Sequence, residues 1–298
     1  MGYTLCVIGC GTMGIAIISG VIASLQSRDA PYPVPKWESH TPGTSTPTAD
    51  TPDPSLPSLF IATVTRPDSA KKLQETFRGL GGLGLSVQIV IGQNADVVIL
   101  WKHSLGKLLI SILAGVTIAQ LRDLVPLTTK VVRAMPNTPC RVGSEKPIRE
   151  GMTVVSNLPP SDTEDAEVDR SIILKIFSSI GRCRFLDEKH FDACTALSGS
   201  GPAFACIFLE AMADGGVMMG LPRAEALELA AQTLQGAARM ALQAGAHPAQ
   251  IKDSVTTPGG CTIAGLLAME DGKVRSTIAR AIQIATERAS ELGQPNRK

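Results

Sequence analysis

Short apolar runs alternate with helical patterns along the first half of the chain. The runs are rich in valine and isoleucine and cover residues 4–8, 60–64, 87–91, 96–100, 107–113 and 130–135. Apolar runs of this length, separated by helical patterns, indicate buried strands of a parallel sheet that helices cover on both faces. We therefore predict an N-terminal α/β domain with a doubly wound parallel sheet.

The second half of the chain has the period of helices from about Pro159 onward. In the last pattern, apolar residues return every three or four positions from Val274 to Leu292, and Gly293 and Pro295 then stop it. We predict an all-α domain at residues 159–298, after the α/β domain at residues 1–158. Its alanine-rich faces allow close contacts between helices and suit an interlocked dimer.

Residues 28–58 differ in composition from the rest of the chain. This stretch of 31 residues holds eight of the 20 prolines, mixed with Thr, Ser and Asp. Too few apolar groups are present to offset the entropy of ordering, so we predict a disordered, solvated insertion between the first helix and the second strand. A polyproline docking segment is the alternative, but the stretch lacks a clear PxxP motif with basic flanks.

The charges nearly balance, with 28 basic and 27 acidic side chains and a pI near 7.6. They give no electrostatic reason to expect nucleic acid or an anionic membrane as a partner, and a small-molecule substrate is the better expectation. Glu210 and Asp214 interrupt the most apolar run, so we expect no membrane span. Because no targeting leader precedes the first strand, we expect a cytoplasmic protein.

The seven cysteines are scattered and form no CxxC pair. Such an odd set indicates neither a disulfide framework nor a zinc site, so we expect reduced, mostly buried thiols and no bound metal.

A GxGxxG motif follows the first strand and opens the first helix. In a dinucleotide-binding loop the first glycine permits a tight turn, the second lets the pyrophosphate approach, and the third allows close packing of helix on strand. In this context we predict a Rossmann-type domain that binds NAD(P), with a purely structural turn as the alternative. The predicted coenzyme-binding residues of this loop are Ile8, Gly9, Cys10, Gly11, Thr12, Met13 and Gly14.

The residues after the second strand indicate which dinucleotide is preferred. A carboxylate at this place selects NAD through the ribose 2′-OH, but this chain has Arg66 there, with Ser69 shortly after it. We predict a preference for NADP(H), with NAD(H) possible, through Arg66 and Ser69. A solvated arginine on a turn is the alternative.

Three further segments combine small residues with turn residues: MPNTP at 135–139, SGSGPA at 198–203 and TTPGGCT at 256–262. The first follows the last long strand at its carboxyl end, where doubly wound domains bind ligands. The third opens a helix, whose unpaired amides and positive dipole end suit a carboxylate. Each segment alone also has a structural interpretation as a rigid turn, a helix crossing or a helix cap.

Taken together and in order, several segments resemble the pyrroline-5-carboxylate reductase family. They are the glycine loop, VVRAMPNTP, TALSGSGPAF, ADGGVMMGLPR, LAAQTLQGAARM and HPAQIKDSVTTPGGCTIAGL. The resemblance implies a Rossmann domain followed by a helical dimerisation domain, and homodimers that can form rings. It also implies an oxidoreductase that transfers hydride from NAD(P)H to the C=N carbon of 1-pyrroline-5-carboxylate and gives L-proline, the last step of proline biosynthesis.

The resemblance also implies roles for individual residues. The backbone around Gly260, Cys261 and Thr262 would hold the substrate carboxylate, the Thr262 hydroxyl would bond the ring nitrogen as the catalytic group, and Thr257 would add a contact. Further residues implied on the coenzyme side are Asn94, Asn137 and Pro139, and on the substrate side Glu188.

Two strands of the predicted sheet are joined by an unusually short link. Only seven residues, WKHSLGK, lie between Leu100 and Leu108, whereas a crossover between parallel neighbours needs about a dozen or more. The family has a longer segment here with a lysine beside the coenzyme, for which Lys102 is the candidate. Either the strand order is locally altered here, or the chain is an alternative or imperfect gene product with a weakened site. A catalytically impaired paralogue that still oligomerises is therefore the runner-up. The hydroxyacid dehydrogenases, which have a similar two-domain layout, are a second alternative. They would need a catalytic lysine on the helix after Ser200, but the first lysine after Ser200 is Lys252, which is too late in the chain for that role.

Overall fold

The structure is a computed structural model that describes residues 2–26, 56–91, 97–102, 106–140, 148–158, 164–244 and 247–292. Most of the predicted insertion at 28–58 and the predicted coenzyme residue Asn94 lie outside these residues. The end of that segment is described, and Pro57 and Ser58 already belong to the second strand.

Within the described residues, the α/β part contains eight strands and the helices that connect them. The strands are β1 (Tyr3–Ile8), β2 (Pro57–Val64), β3 (Gln88–Ile91), β4 (Val97–Lys102), β5 (Gly106–Ser111), β6 (Lys130–Pro136), β7 (Gly151–Ser156) and β8 (Gly181–Leu186). Its helices are α1 (Thr12–Gln26), α2 (Pro67–Arg78), α3 (Ile118–Arg122), α4 (Glu164–Ser178) and the short α5 (Phe191–Cys194).

The helical part follows a short π-helix at Thr195–Gly199. Its helices are α6 (Gly201–Met218), α7 (Arg223–Ala244), α8 (Pro248–Ser254), α9 (Cys261–Asp271) and α10 (Val274–Leu292). Helix α10 has the bounds that its sequence pattern predicted, and α1 follows the first strand at the glycine motif, as predicted. Together with the sheet, these helices confirm the predicted fold class, a Rossmann-type α/β domain followed by an all-α domain.

The strands form one sheet in the order β3-β2-β1-β4-β5-β6-β7-β8. Its first six members have the strand order of a Rossmann sheet. Strand β4 is reversed, however, and pairs antiparallel with both β1 and β5. The expectation that the strands around WKHSLGK are parallel is therefore wrong. A hairpin needs only a few residues between its strands, so the short link that rules out a crossover is long enough here.

Reversal of β4 leaves β1, β2, β3, β5 and β6 running in one direction. Their carboxyl ends therefore share one edge of the sheet, called the carboxyl edge below. This edge carries the glycine loop after β1, the start of α2 after β2 and the MPNTP turn after β6.

The sheet has an apolar core on each face because strand side chains alternate between faces. In β6, Val132 and Ala134 pack with α1 and α4 in the larger core. Val131 lies on the other face, in a smaller core with Leu121 of α3. Arg133 alternates onto this second face and is 4% exposed, so the strand buries a charge beside α3.

The chain divides into two compact units, one of Met1–Thr195 with Ala289–Lys298 and one of Ala196–Arg288. The predicted boundary instead lay at residue 159, with all later residues in the helical domain. The difference arises because β8 pairs with β7 and α4 packs on α1 and β8, so residues up to Thr195 extend the α/β unit.

The helical unit exposes many large apolar side chains. Ile207 is 65% exposed and Met218 is 81% exposed, and Leu229 and Met240 are exposed on α7. Among the described residues, one helical run, Glu188–Met218, is long and apolar enough to span a bilayer by length and composition, and only 11% of its most apolar window is buried. Such a run is weak evidence for a membrane, because a helix that packs against another chain passes the same test.

Candidate active site

The glycine loop has the geometry that a dinucleotide requires. Gly9 has a φ of +74°, a conformation that side chains disfavour, and it makes the turn out of β1. A Cβ on Gly14 would lie 2.8 Å from Cγ1 of Val7 and 3.0 Å from Sγ of Cys10, so helix and strand approach too closely for a larger residue. A Cβ on Gly11 would meet only the Gly9 carbonyl oxygen, at 4.0 Å, which leaves room above the loop.

A threonine of β2 holds this loop in place. The Gly9 amide donates a hydrogen bond to Oγ1 of Thr63 at 3.1 Å, and the Cys10 amide donates to the Thr63 carbonyl at 2.7 Å. Thr63 was not among the residues predicted from the sequence. A hydroxyl near the end of the otherwise apolar strand FIATV was the signal that could have found it, because a half-buried polar side chain in an apolar strand needs a hydrogen-bond partner.

The glycine loop opens α1 at the carboxyl edge, and residues 8–14 carry no charged side chain. The first turn of α1 contains no acidic residue. Burial raises the pKa of the Cys10 thiol to about 12, so this side chain is neutral at physiological pH. A neutral loop at the positive end of a helix dipole fits a pyrophosphate group, and the residues present therefore fit a dinucleotide.

Arg66 and Ser69 lie at the beginning of α2, next to the glycine loop along the carboxyl edge. Arg66 is the N-cap residue of α2, and its side chain is exposed, whereas Ser69 is half-buried. Because Thr63 bonds the loop three residues earlier, the start of α2 follows directly from the anchored strand end. Two predicted groups, the loop and the Arg66 segment, are thus brought together.

The MPNTP turn packs against the first turn of α1. The sulfur atoms of Cys140 and Met13 lie 3.4 Å apart. Oδ1 of Asn137 accepts a hydrogen bond from the Met152 amide at 2.8 Å, which ties the turn to the start of β7. Asn137 is largely buried and Pro139 is half-buried. The structure therefore places the two predicted nicotinamide-side residues beside the glycine loop.

Glu188 lies in the α/β unit, just after β8. Its Oε1 accepts hydrogen bonds from the Ile118 amide at 2.8 Å and from a guanidinium nitrogen of Arg133 at 3.0 Å. Arg133, which the sequence analysis did not single out, is buried under this contact.

The TTPGGCT loop lies in the helical unit and leads into α9. The Gly260 amide donates to the Thr257 carbonyl at 3.1 Å, and Gly260 is the N-cap of the helix. A glycine cannot cap with a side chain, so the first amides of α9, from Cys261 and Thr262 onward, are available to a ligand. Thr257 is exposed and Thr262 is half-buried. The first turn of α9 contains no acidic side chain.

Lys102 does not lie beside the glycine loop, where the family's coenzyme-side lysine was expected. Its neighbour Trp101 pairs with Thr4, because β4 runs antiparallel to β1. This places the Lys102 backbone at the opposite edge of the sheet, about six residues or ~20 Å along β1 from Gly9. The prediction that Lys102 takes the place of the family's lysine is therefore wrong, because β4 runs in the opposite direction to the one expected.

The cysteines are free thiols, and only Cys10, Cys140 and Cys183 are buried, whereas Cys206 and Cys261 are exposed. The expectation of mostly buried thiols is therefore wrong. Within the described ranges, no three His, Cys, Asp or Glu side chains come together in a way that could hold a metal ion.

Known proteins are similar in sequence to this chain over almost its whole length. A pyrroline-5-carboxylate reductase of Lophium arboricola is 43% identical over 323 aligned residues, covering 98% of this chain and 93% of that protein. One of Schizosaccharomyces pombe is 41% identical, covering 97% and 99%. This chain belongs to the pyrroline-5-carboxylate reductase family.

Two further comparisons agree with membership of the pyrroline-5-carboxylate reductase family. Residues 188–292 match the family model described as pyrroline-5-carboxylate reductase dimerisation. A pyrroline-5-carboxylate reductase structure from Coxiella burnetii has a TM-score of 0.63 at 27% identity and covers 98% of both chains. A Plasmodium falciparum structure, solved with NADP bound, has a TM-score of 0.61 at 24% identity and shows the shared fold. The resemblance that the motifs indicated is confirmed.

Proposed function

We propose that this chain is an oxidoreductase that reduces 1-pyrroline-5-carboxylate to L-proline with NADPH as the preferred coenzyme and NADH as a possible one. Membership of the family supports the reaction. The observation that carries the proposal is the MPNTP turn packed on the helix of a glycine loop with dinucleotide geometry. This arrangement gives the coenzyme a phosphate end and a nicotinamide end in one unit.

On the coenzyme side, residues 8–14 would surround the pyrophosphate, and the amides of Thr12, Met13 and Gly14 at the start of α1 would bind it. Arg66 and Ser69 would bind the 2′-phosphate, and Asn137 and Pro139 would border the nicotinamide. Asn94 remains a predicted contact. When bound, NADPH supplies the hydride.

On the substrate side, the backbone around Gly260, with the free amides of Cys261 and Thr262, would hold the carboxylate at the start of α9. The hydroxyl of Thr262 would bond the ring nitrogen, with Thr257 as a further contact and Glu188 as a predicted substrate-side residue. No general acid is required if the cyclic imine binds already protonated, since Thr262 then orients the nitrogen and stabilises the transition state.

The helical unit would form a homodimer, and the dimers would be able to assemble into rings. The exposed apolar side chains of α6 and α7 support this proposal, because a second copy would cover them. We further propose a cytoplasmic enzyme without a nucleic-acid or membrane partner.

The experiment is an assay of purified protein with NADPH and 1-pyrroline-5-carboxylate, followed by absorbance at ~340 nm and by proline analysis. Substrate-dependent oxidation of NADPH with formation of proline supports the proposal. The impaired paralogue, which nothing in the comparisons favours, would instead form stable oligomers and show no NADPH binding in a fluorescence titration.

A further inference from the structure

A buried arginine lies on the strand that leads into the MPNTP turn. Arg133 is on the α3-covered face of β6 and is 4% exposed. A guanidinium nitrogen lies 3.0 Å from Oε1 of Glu188, and the guanidinium carbon lies 4.8 Å from the centre of the Phe191 ring. The charge is therefore paired and stacked at once, which offsets the cost of burying it.

The same carboxylate oxygen joins a third element. Oε1 of Glu188 also accepts the Ile118 amide at 2.8 Å, the first amide of α3. Arg133 belongs to β6, Ile118 to α3, and Glu188 to the turn that follows β8. One oxygen atom thus fixes three separate segments of the α/β unit relative to one another.

Arg133 is also tied through its backbone. Its amide donates to Oγ of Ser156 at 3.0 Å, a hydroxyl on β7, and Asn137 bonds the Met152 amide at the other end of that strand. Moving the end of β6 would therefore separate the guanidinium from Glu188. An unpaired buried charge is costly, so the ion pair favours one position of the strand end over its alternatives.

We propose that Arg133 is a positioning residue for the reductase reaction. It acts through Glu188 and sets the place of the Asn137–Pro139 turn, which borders the reacting end of the coenzyme. The inference rests on the proposed function. It assigns to the Arg133–Glu188 pair an effect on the rate of the chemical step, while coenzyme affinity depends on the glycine loop and Arg66.

The test compares wild type with Arg133→Met, which keeps an unbranched apolar stem, and Arg133→Lys, which keeps the charge but not the planar fork. Protein loaded with one equivalent of NADPH is mixed rapidly with saturating 1-pyrroline-5-carboxylate, and the fluorescence of bound NADPH is followed. The rate constant reports the geometry of the reacting groups, whereas a smaller folded fraction lowers only the amplitude. Misplacement of reacting groups by about 1 Å can cost up to ~100-fold.

We expect the rate constant to fall about 10-fold in Arg133→Met and by less in Arg133→Lys, with the dissociation constant of NADPH changed by no more than about 2-fold. The matched control is Arg170→Met, which removes a guanidinium stacked 4.3 Å from the Phe185 ring in the same unit. This control is expected to keep the wild-type rate constant.

A second readout does not depend on activity. The thermal midpoints of Arg133→Met, Glu188→Gln and the double variant are compared, and the two losses are expected to be clearly less than additive because both variants break one pair. Losses of thermal midpoint that add up in the double variant, or a wild-type rate constant in Arg133→Met, would overturn the role of Arg133 and leave the proposed function standing. A wild-type protein that does not oxidise NADPH with this substrate would refute the proposed function as well.

Discussion

The Gly9 amide donates a hydrogen bond to the hydroxyl oxygen of Thr63, 54 residues away along the chain, at a distance of 3.1 Å. The bond joins the turn of the glycine loop to the strand whose end carries Arg66. Because the adjacent Cys10 amide also bonds the Thr63 carbonyl, a single residue fixes two consecutive amides of the loop. The phosphate end of the proposed coenzyme site is therefore held by side-chain chemistry as well as by glycine geometry.

Replacing Thr63 with valine removes the acceptor and keeps the branched shape of the side chain. One hydrogen bond contributes about 1 kcal/mol, so the dissociation constant of NADPH should rise about 5-fold in a fluorescence titration. Thr63→Ser should keep near wild-type affinity because it retains the hydroxyl. Thr65→Val, at an exposed position just beyond the strand, serves as the control, and an equal effect of this control would reject the assignment.

Reversing the charge at Arg66 tests the coenzyme preference. A charge-assisted hydrogen bond contributes roughly 1.5–3 kcal/mol, so Arg66→Glu should raise the KM for NADPH at least about 10-fold and leave that for NADH within about 2-fold. Arg78→Glu, an exposed position at the other end of α2, should change neither value by much. An unchanged ratio of the two KM values in Arg66→Glu would contradict the proposed contact with the 2′-phosphate.

Cys10 makes the stability of the α/β unit depend on alkaline pH. Burial raises the pKa of its thiol from 9.0 to about 12, so between these values the unfolded chain releases a proton that the folded chain keeps. The contribution is complete below about pH 9 and is lost as the pH rises towards 12, by at most about 1.4 kcal/mol per pH unit. In urea unfolding, the difference between wild type and Cys10→Ala should shrink over this range. A pH-independent difference would mean that the thiol is solvated.

Thr262 is the residue on which the proposed chemistry depends most. Thr262→Ala should lower kcat about 100-fold, the usual cost of removing one donor that stabilises a transition state, with little change in NADPH affinity. Thr262→Ser should recover much of the activity. The control is Thr277→Ala on α10, an exposed threonine whose hydroxyl donates to the carbonyl of Lys273 just before that helix. Wild-type turnover in Thr262→Ala would remove this residue from the mechanism.

Much of the sheet could be predicted from the sequence, because buried strands read as continuous apolar runs. Strands β7 and β8 were both missed. In β8, Arg182 and Arg184 interrupt the apolar residues, and the strand lies at the edge of the sheet. The direction of β4 could not be read from its side chains, because a strand has the same pattern of residues in either direction. Only the length of the link to β5 carried that information.

The candidate site was predicted unevenly, for a similar reason. Glycine positions are visible in a sequence because their spacing reflects local backbone geometry. Thr63 and Arg133 act through contacts that span 54 and 55 residues, and no local pattern marks such pairs. The available signals were the hydroxyl of Thr63 and the charge of Arg133, each inside an otherwise apolar strand.

The most direct test of the account follows the transferred hydrogen. Purified protein is incubated with 1-pyrroline-5-carboxylate and NADPH that carries deuterium at both C4 positions of the nicotinamide ring, and the product is analysed by mass spectrometry. The account predicts L-proline that is heavier by one deuterium, formed in amounts equal to the NADPH consumed. Unlabelled proline, or oxidation of NADPH without proline, would contradict it.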